Sequence, residues 1–174
     1  EEFGLTDVQL AWLTAVAVLN GAIWRLPAGI AADRFGGKRV FVFMLAVTAI
    51  PAYMVSQAQS YAWLLVCAFL VGFAGNSFSV GIAWVSAWWP QNRQGFALGV
   101  FGAGNVGASL TKFIGPALIA AVPAAGFLGG FVPGGWRFVP FLYMALLIAV
   151  AIGMWLWTPH RDIKPSQGRS VRSM

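Results

Sequence analysis

Between Arg39 and Arg93 the chain carries no Asp, Glu, Lys or Arg at all. A charge-free run of that length holds two membrane spans of ~20 residues each, and the whole composition agrees with it. The 174 residues are 59% hydrophobic and 9% charged, with a mean hydropathy of +0.76, far more apolar than a soluble domain. The expected fold class is all-α, a polytopic membrane helix bundle of about five spans set in a lipid bilayer. The formal charge of +6 does not point to nucleic acid, because its basic residues punctuate apolar segments instead of clustering on a soluble face. The single cysteine, Cys67, lies in an apolar segment and the single histidine, His160, lies past the last span. That leaves no disulfide, no metal cluster and no ligand set for haem, so no cofactor and no enzymatic activity are expected.

The apolar segments run about 10–32, 40–55, 61–89, 94–122 and 136–157, forming a bundle over 1–159 with a flexible basic tail over 160–174. Orientation follows from the Lys and Arg residues between them. Arg34, Lys38 and Arg39 follow the first span, Arg93 the third, and Arg161, Lys164, Arg169 and Arg172 the fifth. These are alternate loops and therefore one side, the cytoplasmic one, which puts the N-terminus outside and the tail inside a cell inner (plasma) membrane. Trp12, Tyr61, Trp63 and Trp136 then fall at outer ends, and Trp88, Trp89, Trp155 and Trp157 at inner ends, as interfacial belts require. The chain opens EEFGLTD, without an initiator Met or a signal sequence, as a piece cut from something longer would.

Polar residues inside the spans carry the functional signal, because they are costly in lipid. Arg25 lies about eight residues before Asp33, ~12 Å of helical rise from the span end, a difficult distance over which to snorkel. All five acids (Glu1, Glu2, Asp7, Asp33, Asp162) lie at or beyond span ends. A guanidinium without a carboxylate suits a small planar oxyanion, which it grips with two parallel hydrogen bonds. The other reading is neutralisation by an acid from outside this chain, or by local hydration. Pro27 removes the helix bond to the Ile23 carbonyl and should bend the helix next to Arg25.

Counting back from span ends, Asn76 and Phe78 lie ~18 to 21 Å from Pro90, and Asn105 ~16 Å from Gln94, near the level of Arg25. GFAGNSF and GAGNVG thus present an amide, an aromatic wall and the bare backbone of Gly102 and Gly104 around one point. Phe78 is also placed as an ordinary packing residue would be. Read as one helix, Gly95 to Pro116 aligns Gly95, Gly99 and Gly102 at i, i+4, i+7, with Asn105, Ser109 and Lys112 as a parallel polar stripe. The stripe is the wall of a substrate path or a tight helix contact through small residues. Lys112 draws anions inward, takes part in proton coupling, or simply snorkels outward. Finally, Gly29 to Arg39 (GIAADRFGGKR) forms the first cytoplasmic loop. Asp33 at a helix C-terminus opposes the macrodipole and calls for Arg34, Lys38 or Arg39, or another helix's N-terminus, as partner, a charge lock made in one state and broken in another. Gly29 and Gly36 shape that loop.

GIAADRFGGKR resembles the loop signature of the major facilitator superfamily. AIWRLPAGI, GFAGNSF, SAWWPQNRQG and GVFGAGNVGASLTKFIGP, in that order, resemble its nitrate/nitrite porter branch. The resemblance implies helices two to six of a twelve-helix transporter, lacking helix one and the second half. It implies nitrate or nitrite as the cargo, with the substrate arginine on Arg25, the signature asparagine on Asn105 and the helix-four aromatic on Phe78. A second basic residue would come from the absent half. Lys112 and the GRS-containing tail resemble the proton-coupled importers more than the exchangers. The alternatives are a carrier of another small anion, an inactive transporter remnant, and a membrane anchor for a redox enzyme. The anchor would need haem ligands or acids inside spans, and the sequence offers neither.

Overall fold

A computed structural model describes residues 3–124, 126–127 and 131–158. The basic tail expected over 160–174 lies outside the described residues. Among the described residues the chain is helical, with one isolated antiparallel bridge between Phe127 and Val132. The helices are α1 (Asp7–Ile23), α2 (Arg25–Phe35), α3 (Gly37–Ser56), α4 (Tyr61–Gly72), α5 (Asn76–Trp88), α6 (Gln94–Gly102), α7 (Val106–Ala121) and α8 (Phe138–Trp157). Short 3₁₀ turns at Phe73–Gly75, Ala103–Asn105 and Gly135–Arg137 join or precede them.

Local chemistry sets the ends. Thr6 and Gln9 form a reciprocal capping box at the start of α1, satisfying two backbone donors that the first turn leaves open. Ser60 Oγ accepts from the Trp63 N–H at 3.2 Å and caps α4. Pro51 lies inside α3 without ending it.

Several expected boundaries change. The first span is two helices, α1 and α2, bent by 40° at Trp24, next to Arg25 and three residues before Pro27, as a missing helix bond there requires. The stretch 29–39 is not a loop: α2 runs to Phe35 and α3 begins at Gly37. Gly36 alone reverses the chain, at φ +93°, a conformation that only glycine adopts without strain. The neighbouring Gly37 is needed for a different reason, since a Cβ there would fall 2.4 Å from the Trp84 ring. Finally, 61–89 and 94–122 are each interrupted by a 3₁₀ turn, at Phe73–Gly75 and Ala103–Asn105.

Three helical segments, Gly37–Ser56, Tyr61–Trp88 and Gly135–Trp157, are long and apolar enough to cross a membrane, and the bent α1–α2 pair makes up to four. The expected count was about five. The segment 94–122 falls outside this set because Asn105, Ser109, Thr111 and Lys112 dilute its apolar character.

The most extensive interface joins α3 to α8, followed by α1 with α4. A small core of Ala28, Ala32, Val40, Met44 and Val80 sits where α2, α3 and α5 meet. Contacts also sort the chain into two ends. At one, the Arg137 guanidinium donates to the Ala58 carbonyl at 2.7 Å, Tyr61 donates to the Gln9 carbonyl at 3.3 Å, and Phe3 meets Trp136 edge to face. At the other, Lys38 Nζ donates to the Thr158 carbonyl at 2.6 Å and lies 5.2 Å from the Trp155 ring centre. The start of α3 thus meets the end of α8, while the 56–60 stretch lies with Arg137 and the start of α1 at the other end.

Candidate functional site

Two of the membrane segments break where their candidate residues lie, and the breaks meet. The first is Trp24, with Arg25 directly after it. The second is the turn Phe73–Gly75, with Asn76 directly after it. Trp24 and Phe73 pack edge to face, ring centres 5.9 Å apart. A Cβ on Gly21 would lie 3.2 Å from the Gly72 carbonyl oxygen, and one on Gly72 would lie 2.1 Å from the Ala17 carbonyl oxygen. Here glycine is required by proximity, since α1 and α4 approach through bare backbone.

Arg25 is exposed at this junction. The acidic side chains among the described residues are Asp7 and Asp33, at the start of α1 and near the end of α2. Asn76 is fully buried. Its Nδ2 donates to the Phe73 carbonyl at 3.0 Å, and Ser77 Oγ donates to the Ala74 carbonyl at 2.7 Å. Both side chains therefore serve carbonyls at the turn, and the Asn76 Oδ1 has no partner among the described residues. Below the junction an apolar cleft of about 420 Å³ runs past Trp24, Phe73, Pro27 and Phe43 to Phe35 and Arg39. Arg25 does not line this cleft.

Phe78 stacks on Phe101 of α6 at 5.5 Å, and Phe101 presses so closely on Gly81 that a Cβ there would fall 2.2 Å from its ring. Phe78 is thereby a packing residue between α5 and α6 that keeps 39% of its surface exposed. The turn Ala103–Asn105 contacts mainly its own flanking helices. Asn105, Gly104, Ser109 and Lys112 are exposed and Gly102 is half-buried. A Cβ added at Gly95, Gly99, Gly102, Gly104 or Gly107 would meet nothing within 4 Å. The structure thus brings Arg25 and Asn76 to one junction, links Phe78 to the next helix, and leaves Asn105 and the glycine stripe on an open face. The tight helix contact offered as one reading of that stripe is not made by the described residues.

In the GIAADRFGGKR segment, Asp33, Arg34 and Arg39 are exposed. Gly29 has open space around it. Lys38, expected as a partner for Asp33, is buried and turned to Thr158 and Trp155. That choice follows from position, because Lys38 opens α3, whose partner α8 ends with free carbonyls.

Sequence reasoning missed Asn20. It is buried near the C-terminal ends of α1 and α4, where its Nδ2 donates to the Phe69 carbonyl. The signal was present: a lone carboxamide in the apolar run TAVAVLNGAIW is the same cue that singled out Asn76 and Asn105.

Comparison with known proteins gives a consistent picture. The sequence pattern of the Major Facilitator Superfamily matches residues 1–173. A probable nitrate/nitrite antiporter of Thermus thermophilus is 67% identical over all 174 residues, which make up 39% of that protein. Probable nitrate transporters of Staphylococcus carnosus (strain TM300) and Staphylococcus aureus (strain JH9) are 29% identical over 154 residues and 30% identical over 166 residues, respectively. The chain spans 37% and 40% of those two proteins.

Proposed function

Because the chain belongs to the major facilitator superfamily, a family of multi-pass membrane transporters, we propose that it forms part of a carrier for nitrate and nitrite, with Arg25 as the anion-binding residue. The observation that carries this reading is the place of Arg25. It sits exposed at the 40° break of a bent helix pair that together is long and apolar enough to cross a membrane, with the described acids at helix ends. A planar guanidinium there offers two parallel donors to a planar anion. Asn76 and Phe78 follow the adjoining break, where Asn76 ties the turn through the Phe73 carbonyl and Phe78 packs on Phe101, so in this reading they shape the junction around Arg25. We further propose that Asn105, with the bare backbone at Gly102 and Gly104 on an open face, lines the anion path.

The names of the relatives support the cargo, and the term antiporter, for the relative at 67% identity, favours exchange of nitrate for nitrite. Proton coupling through Lys112 has less support. In this reading the ends of α2 and α3 that carry Arg34, Lys38 and Arg39, with the end of α8 that meets Lys38, face the cytoplasm of the inner membrane, and the start of α1 faces outward. Alternating access rocks two bundles about a midplane site. The helices of this chain therefore work with a first helix and a second bundle, and the chain alone is expected to give no uptake.

The test is a chimera in which this chain replaces the matching segment of the Thermus thermophilus relative. Proteoliposomes loaded with nitrite should take up nitrate, and Arg25→Lys should lower that uptake at least ~10-fold, because an ammonium lacks the fork. Chlorate and nitrite should compete, whereas formate and lactate should not. Unchanged uptake with Arg25→Lys, or equal competition by lactate, overturns the reading.

A further inference from the structure

The break in the Tyr61–Trp88 segment has a cost that one distant side chain meets. In an unbroken helix the Phe69 carbonyl would accept from the Phe73 N–H four residues on. At the 3₁₀ turn the Phe73 N–H donates instead to the Leu70 and Val71 carbonyls, so the Phe69 carbonyl loses its regular donor. An unmet carbonyl away from water is expensive. Asn20 of α1 reaches it: its Nδ2 donates to the Phe69 oxygen across the helix interface. Only 2% of Asn20 is exposed, and its Oδ1 has no partner among the described residues. The side chain is therefore held there by this donor bond and by packing. The surrounding backbone leaves it little choice, since Gly21 and Gly72 set the two helices in direct contact on either side.

We infer that Asn20 is a positioning residue: its carboxamide replaces the missing helix donor and holds the Tyr61–Trp88 segment in its broken form. The turn in turn fixes where Asn76 and Phe78 emerge, so the consequence for anion binding rests on the function proposed above, while the latch itself does not. Without the donor, the Phe69 carbonyl regains its partner only if the segment straightens, and straightening pulls the turn away from Gly21 and Trp24.

The test uses the full chain in lipid nanodiscs, with Asn20→Leu and the smaller Asn20→Ala, which spares the neighbours if leucine prevents folding. Amide hydrogen exchange over 69–76 should rise about 10-fold in either variant, the size expected for one lost buried hydrogen bond. Exchange across α3 and α8 should stay within about 2-fold, because those helices pack chiefly on each other. The lone thiol, Cys67, is buried two residues before Phe69, and its labelling by a maleimide should speed up in parallel. Unchanged exchange over 69–76, or an equal rise in α3 and α8, overturns the inference. A latch that fails while the chimera still carries nitrate removes Asn20 alone. Lost transport with the latch intact removes the anion reading alone.

Discussion

The same three residues, Ala-Gly-Asn, stand at two helix breaks in this chain and meet opposite fates. Ala74 and Gly75 close a 3₁₀ turn pressed against α1, and Asn76, fully buried, opens the helix that follows. Ala103-Gly104-Asn105 lies in a 3₁₀ turn with the asparagine exposed and open space over Gly104. Glycine and asparagine are poor helix formers, so the local sequence explains why both helices break. It does not explain burial. The difference comes from the facing helix: α1 brings Gly21 and Asn20 to the first turn, while the second contacts mainly its own flanks. A break is thus written locally, and its role is assigned by whatever comes to lie against it.

Substitutions at glycine should separate the two regions most sharply. Gly72→Ala places a Cβ 2.1 Å from the Ala17 carbonyl oxygen, an overlap that neither backbone can relieve cheaply, and should cost about 3 kcal/mol or more. Denaturant unfolding in mild detergent reads this as an early loss of helix signal. A smaller loss, about 1 to 2 kcal/mol in the same assay, is expected for Lys38→Met, which removes the bond to Thr158 and the contact with Trp155. Gly104→Ala should have the smallest effect and the opposite sign, stabilising by up to about 1 kcal/mol, because it meets nothing and favours the helix. Equal destabilisation by Gly72→Ala and Gly104→Ala would remove the distinction between the two breaks.

Much of the architecture was legible in the residues. Alternating spans along the sequence anticipated that the start of α3 meets the end of α8 and that the 56–60 stretch lies beside Arg137. Pro27 announced the bend beside Arg25, since a proline removes a helix bond wherever it falls. The glycines were harder to read. Gly95, Gly99 and Gly102 form the more regular stripe, yet the close approaches use Gly21, Gly37, Gly72 and Gly81. Spacing along one helix shows only which residues share a face, and a contact needs the partner's surface as well. Lys38 escaped for a similar reason: its neighbours in sequence suggested Asp33, whereas its partner Thr158 lies at the far end of the chain. Of the candidate site, the sequence indicated Arg25, Asn76 and Phe78, and it passed over Asn20, whose role depends on a carbonyl freed in another helix.

The account stands on Arg25 as the group that answers the anion, and ligand-dependent stability measures that with no transport step in between. In the chimera, added nitrate should raise the melting temperature progressively, as a ligand bound only by the folded state does, and Arg25→Lys should abolish most of that rise while leaving the nitrate-free value in place. An equal nitrate-dependent rise in the Arg25→Lys chimera would contradict the account.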